Sequence, residues 1–131
     1  MYLEKLRLKT HAKDEMIDIT KDIENAIVKS QIKDGLAIVF CPHTTAAITI
    51  NENADPDVCT DFIRGLDSIS PDWADFKHAE GNSAAHIKSS LIGASETVIV
   101  ENGRPVLGRW QGIYFAEFDG PRFREFYVKV I

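Results

Sequence analysis

Apolar and polar residues alternate from Tyr2 to Lys9, with Leu3, Lys5, Arg7 and Lys9 on one side and Glu4, Leu6 and Leu8 on the other. Met16-Ile17-Asp18-Ile19 follows after a polar turn over Thr10–Glu15. A period of two predicts a half-buried strand, so the two segments read as a hairpin. Thr20 is placed to cap a helix carrying Ile23, Ala26, Ile27 and Val28 at helical spacing, and Asp34-Gly35 is the expected stop. The short apolar run Leu36–Phe40 predicts a strand buried on both faces. Ala46–Ile50 is a second β-rich run, separated from the first by Cys41-Pro42-His43-Thr44-Thr45.

Asp55-Pro56 opens a second helix in which Val58, Phe62, Ile63 and Leu66 keep helical spacing, and Ser70-Pro71-Asp72 breaks it. Asp72–Lys77 reads as a surface segment with Trp73 and Phe76 partly packed. A third helix is expected from about Asn82 to Leu91 or Ile92, stopping near Gly93, followed by a strand over Thr97–Val100. Asn102-Gly103 is a strong two-residue hairpin signal. Val106–Phe118 predicts one long strand, with Gly108 and Gly112 as bulges or close backbone approaches. Asp119-Gly120-Pro121 then turns the chain into a final strand, Phe123–Ile131. The expected fold class is α+β: a largely antiparallel β-sheet packed with about three helices in one compact domain over residues 1–131.

Composition narrows the function classes. With 131 residues, 44% hydrophobic and 27% charged, the chain has the material for one complete core. A net charge of −5 argues against sequence-independent nucleic-acid binding, which needs a basic footprint. A local cluster, Arg104, Arg109, Arg122 and Arg124, still leaves room for a small phosphorylated or anionic ligand. The cysteines Cys41 and Cys59 lack metal or redox spacing, which suits reduced thiols. No apolar run is long enough to span a membrane and the start carries no signal core, so a cytoplasmic protein without membrane or nucleic-acid partners is expected.

Of the four histidines, His11 lies in a polar turn and reads as a solvated loop residue. His43 sits where a strand stops, beside Thr44 and Thr45. His78 precedes a helix start and His86 lies a turn inside it. On that helix Ala84, Ile87, Leu91 and Ala94 form the expected apolar stripe. His86 falls off it, on a small polar face with Asn82, Ser89, Ser90 and Gly93. His43, His78 and His86 are candidate ligands for a divalent metal, zinc or magnesium, although their spacing is no zinc signature. The alternative is that His78 and His86 are hydrogen-bonding surface residues.

Thr44 and Thr45 are candidate phosphate ligands, or simply good β-formers. Glu52 and Glu80 are candidate proton-transfer groups beside His86. Cys41, two residues from His43, has the spacing of a nucleophile, but a small buried cysteine is the commoner outcome. Glu117 and Asp119 are placed to pair with Arg122 or Arg124.

The runs His43–Asn53 (HTTAAITINEN), His78–Lys88 (HAEGNSAAHIK), Gly108–Ile113 (GRWQGI) and Glu117–Arg122 (EFDGPR) resemble the YjbQ-like family, also called secondary thiamine-phosphate synthase, over essentially the whole chain. The resemblance implies a homotrimer with sites near the histidine motifs shared between subunits. It carries over His43, His78 and His86 as site residues, and with them Glu52, Asn82, Trp110, Gln111 and Arg122. The attributed reaction joins a pyrimidine pyrophosphate to a thiazole phosphate with release of pyrophosphate. Three readings follow: an enzyme acting on a phosphorylated or anionic small molecule, a metal-dependent hydrolase, and a non-catalytic metal- or metabolite-binding trimer.

Overall fold

A computed structural model describes residues 1–131 as eight strands and three helices. In chain order these are β1 (Tyr2–Lys9), β2 (Glu15–Asp18), α1 (Thr20–Ser30), β3 (Gly35–Phe40), β4 (Ala46–Glu52), α2 (Pro56–Ile69), α3 (Ser83–Ile92), β5 (Ser95–Glu101), β6 (Arg104–Pro105), β7 (Gln111–Glu117) and β8 (Phe123–Val130). They build two antiparallel sheets, a five-stranded one in the order β1-β8-β3-β5-β6 and a three-stranded one in the order β2-β7-β4. The α+β expectation, with three helices on antiparallel sheets, is met.

Three layers result. The inner face of the five-stranded sheet, with Ala37, Val39, Val98, Val100, Phe126 and Val128, packs on α1 and on Ile48, Ile113 and Phe115 of the smaller sheet. The opposite face of that smaller sheet, through Ala47, Ala116 and Phe118, packs on Leu66 of α2 and Ala85 of α3. The smaller sheet is therefore covered on both sides, and β7 is buried at every residue after Gln111.

Several local expectations change. β1 and β2 are not a hairpin: β1 pairs with β8 and β2 with β7, in different sheets. Alternation predicts one buried face but does not name the partner strand. The strand buried on both faces is β7 rather than β3, whose Leu36 and Phe40 lie 39% and 42% exposed on the uncovered side. The long strand predicted over Val106–Phe118 starts only at Gln111. Gly112 marks a close approach there, since a Cβ would sit 2.5 Å from Asn53 Nδ2. α1 ends at Ser30, with Gln31 left-handed at φ 61°, and Thr20 does not cap it. The Thr20 hydroxyl instead accepts from the Ile113 N–H. Gly35 opens β3 rather than ending α1, and a Cβ there would meet the Ile131 carbonyl oxygen at 2.0 Å.

Other signals hold. The Asp55 carboxylate caps α2 by accepting from the Asp57 N–H, with Pro56 in the first turn. Asn102 and Gly103, at φ 52° and 75°, link β5 and β6 as a two-residue turn with both central residues at positive φ.

The packing of α3 keeps Ala84 of the expected stripe inside but turns its large members out. Ile87 and Leu91 are 41% and 57% exposed, while Ala84, Ala85, Lys88 and Ser89 are buried. Small side chains let the helix lie close on β4, where the Ser89 hydroxyl donates to the Ala46 carbonyl at 2.7 Å. The Lys88 ammonium is clamped between Asp67 of α2 and Asp14 of the β1–β2 turn, which a buried charge requires. Phe115→Ala should therefore cost about 3–5 kcal/mol in urea unfolding, as a large cavity would, and Ile87→Ala about 1 kcal/mol or less. Equal losses would contradict this burial.

Candidate functional site

β8 runs past the end of β3. Phe40 pairs with Tyr127, and continuing that register would set Pro42 opposite Glu125. Proline has no N–H to offer, and the chain leaves the sheet there. The backbone groups of Glu125 turn instead to the His43 ring, whose Nε2 lies 3.0 Å from the Glu125 nitrogen and 3.1 Å from its carbonyl oxygen. An amide N–H without an acceptor is the rarer defect in folded proteins. A ring that accepts at Nε2 from this N–H carries its proton on Nδ1; one that donates to the carbonyl carries it on Nε2. Burial first, and then the nearby Arg124 guanidinium, holds the His43 pKa below the usual imidazole value. His43 is accordingly a neutral ring held in place by the Glu125 backbone.

Two further connections complete the walls. The Ile48 N–H donates to the Gly93 carbonyl at 3.1 Å and the Cys41 N–H to the Ala94 carbonyl at 2.8 Å, so the end of α3 is tied to both edges of the His43 loop. His86, on the face of α3 turned towards that loop, shares one pocket with His43, Thr44, Ser90 and Gly93. The small polar face expected on this helix thus lines the site, Ser89 included, although its hydroxyl is committed to the Ala46 carbonyl. An adjoining pocket of about 390 Å³ adds His78, Glu80, Asn82, Asp119, Arg122 and Arg124 and contains no hydrophobic side chain.

Within it the His78 and His86 rings meet edge to face, centroids 5.3 Å apart, and Glu80 lies 4.0 Å from His78 Nε2. Asp119 organises the opposite wall: its carboxylate accepts from Asn82 Nδ2 at 2.7 Å and from Arg122 Nη2 at 2.8 Å. Asn82 consequently does not cap α3 with its side chain, and its buried Oδ1 has no donor. Thr45 is held from behind, its hydroxyl accepting from Arg124 Nη2 at 2.8 Å. Arg124 also donates through Nε to Glu117 at 2.8 Å. The carboxylate–arginine pairs are therefore Asp119–Arg122 and Glu117–Arg124. Of the four arginines that stood out in the sequence, only Arg122 and Arg124 reach the site; Arg109 stacks on Trp110 at 4.8 Å.

Not every sequence candidate arrives. Glu52 and Gln111 pair at the far end of β4, about 20 Å along the strand from Ala46 at ~3.3 Å per residue. The Gln111 side chain folds back to accept from the Gly108 N–H at 2.7 Å, and Trp110 stands 53% exposed beside it. Glu52, Trp110 and Gln111 thus form a separate cluster within the protomer. Cys41 is buried and its thiol is pushed up to about 11, chiefly by burial, which removes it as a nucleophile at neutral pH. His11 is exposed in its turn, as expected. Asp119, which the sequence offered only as a charge partner, and Arg124, offered as a charge partner and one of a basic cluster, are pocket residues; Asp119 lies inside the EFDGPR run and Arg124 two residues after it, which was the available signal.

The metal expected at His43, His78 and His86 finds no grouped donor set within one protomer. No three His, Cys, Asp or Glu side chains stand close enough to share one ion.

Glu117 gives the site a pH signature. Burial alone would raise its pKa, but Arg124, the Thr10 hydroxyl and the Asp119 N–H outweigh it and hold the carboxyl below its ordinary value. A depressed folded-state pKa gives stability that is full above the unfolded value, 4.5, and is lost as pH falls through the folded one. Urea unfolding should show this acid loss. Glu117→Gln should lower stability at pH 7 and flatten the acid limb; an unchanged limb would contradict the pair's ionised state.

This architecture is shared. The chain matches the family model described as UPF0047 protein YjbQ-like over residues 4–131. It is 58% identical over 127 residues to a UPF0047 protein of Methanocaldococcus jannaschii, covering 97% of this chain and 92% of that one. It is 56% identical over 131 residues to the UPF0047 protein YugU of Bacillus subtilis, covering 98% of each. A solved YjbQ/UPF0047 family protein of Clostridium acetobutylicum superposes with a TM-score of 0.96 at 57% identity, covering 98% of this chain and 99% of that one. With the family model, the sequence identities and the fold in agreement, the chain belongs to the YjbQ-like UPF0047 family.

Proposed function

We propose that the histidine pocket binds a small phosphorylated or otherwise anionic molecule and that the protein is an enzyme acting on it. The observation that carries this reading is the lining itself: three histidines, Thr44, Asn82 and Arg122 around a space with no hydrophobic side chain. His43 supplies a fixed N–H, Arg122 a charged donor, and Thr44 a hydroxyl, the groups that hold phosphate oxygens. His86 and His78, with Glu80 beside them, are the proton-transfer pair. The group transfer implied by the family resemblance, in which pyrophosphate leaves as a pyrimidine joins a thiazole phosphate, needs a stabilised leaving anion more than a protein nucleophile. These residues suit that demand. Titrating phosphate or pyrophosphate into the protein should move the ring signals of His43, His78 and His86 together in NMR spectra. Chelator should not change the response. His86→Ala should weaken binding about tenfold, the worth of one charge-assisted hydrogen bond, with an unchanged melting temperature. Silent histidines, or a response that chelator abolishes, would contradict the reading.

We further propose that the homotrimer expected from the resemblance packs through the outer face of the five-stranded sheet. Tyr114 and Phe115, the aromatic residues of β7, are internal at 5% and 0% exposure, whereas Trp110 just before the strand is 53% exposed. Leu36, Phe40 and Ile99 instead stand exposed on neighbouring strands with no layer over them, an apolar patch of the kind that marks association. Such packing is the route by which Glu52, Trp110 and Gln111 of one subunit would reach the pocket of another. Two free cysteines, one buried, suit a reducing cytoplasm. Sedimentation should give a trimer at micromolar concentration and a monomer for Phe40→Asp; a monomeric unmodified chain would refute the assembly.

A further inference from the structure

The histidine pocket is not a plain basic hole. Its lining sets two carboxylates, Glu80 and Asp119, against two guanidiniums, Arg122 and Arg124, and Arg124 is already answered by Glu117 behind the wall. A fully ionised oxyanion placed there meets donors on one side and acceptors on the other, and the acceptors can only repel it. Charge alone does not say which anion such a pocket takes.

The acceptors are gathered on one wall. Asp119 Oδ2 accepts from Asn82 Nδ2 at 2.7 Å and from Arg122 Nη2 at 2.8 Å, whereas Asp119 Oδ1 has no donor in the protein. Unlike Asn82 Oδ1, that oxygen is not sealed from solvent. Asn82 cannot supply the missing donor. Its amide nitrogen serves Asp119 and, at 3.4 Å, Glu80, and its own Oδ1 is an acceptor without a partner. Arg122 is locked beside the free oxygen by two bonds to Asp119, from Nε to the carbonyl and from Nη2 to the carboxylate, both at 2.8 Å. The wall therefore presents a fixed donor next to a fixed, unanswered acceptor.

We propose that Asp119 determines the specificity of this pocket by selecting an oxyanion that still carries a hydrogen. Arg122 donates to one oxygen of the anion, and Asp119 Oδ1 accepts the hydrogen borne by another. Hydrogen phosphate meets both demands. Sulfate, with the same shape and charge, has lost both protons at neutral pH and has nothing to donate to Asp119. This selection rests on the anion reading of the pocket and adds the rule by which one anion is preferred to another of equal size.

Calorimetric titration of inorganic phosphate and of sulfate into the full chain at neutral pH, read in parallel by the histidine NMR signals, tests this. Phosphate should bind about tenfold more tightly or better, the worth of one hydrogen bond to a charged group. Asp119→Asn keeps an oxygen for Asn82 and Arg122 but puts an amide nitrogen where Oδ1 stood, turning an acceptor into a donor. That variant should bind sulfate about tenfold more tightly than the unmodified chain does and lose the preference for phosphate. If Asp119 only held the wall together, both anions would weaken alike and the ratio would survive, which overturns the selection. Equal affinity of the unmodified chain for the two anions also overturns it, whether or not Asp119→Asn folds as judged by its melting temperature, and leaves the anion reading standing. Histidine signals that respond to neither anion overturn both.

Discussion

The pocket is organised around a carboxylate that has no contact with water. Glu117, at the end of β7, is fully buried, and a buried charge persists only where every lone pair is met. Its partners come from three different places in the chain: the Thr10 hydroxyl at 2.7 Å after β1, Arg124 at the start of β8, and the Asp119 N–H at 3.0 Å in the connection between β7 and β8. Arg124 in turn holds Thr45 on the His43 loop. One ion pair therefore fixes the segments that carry His43, Thr45, Asp119 and Arg122. The pair adds to the β1–β8 ladder, the Thr10 N–H bond to the Arg122 carbonyl and the contact of the His43 ring with the Glu125 backbone at this end of the sandwich.

α3 forms the other wall by a different device. Its inner face is built from alanine, serine and one lysine rather than from large aliphatic residues. That composition brings the helix backbone close to β4 and sets His86 opposite His43. Lys88, held by acidic residues of two other elements, fixes the rotation of the helix. The arrangement sacrifices hydrophobic burial on α3 for position, which is consistent with a helix whose task is to present side chains.

Local chemistry is what the sequence displays well. The Asn102-Gly103 turn, the Asp55-Pro56 helix start and the third helix from Ser83 are all readable from a few neighbouring residues. The convergence of His43, His78 and His86 on one pocket was also legible, because His43 and His78 sit at element boundaries and His86 on a small polar helix face. Long-range pairing was not. Nothing in the alternation of β1 says that its partner is the last strand, and nothing in Ile87 and Leu91 says that the helix turns them outward while burying Lys88. The distance of Glu52, Trp110 and Gln111 from the histidines was hidden for the same reason. A motif's place in the chain order does not reveal at which end of a strand it falls.

The account stands on the state of one ring. If the His43 ring accepts from the Glu125 N–H as a strand partner would, its proton is on Nδ1, and the site offers a hydrogen bond to an anion rather than a lone pair to a metal. Nitrogen-15 NMR of the histidine ring reads this directly. The account predicts a neutral Nδ1–H tautomer at pH 7, with the Nδ1 signal moving when phosphate is added. An Nε2–H tautomer, or a ring already protonated at pH 7, would contradict it.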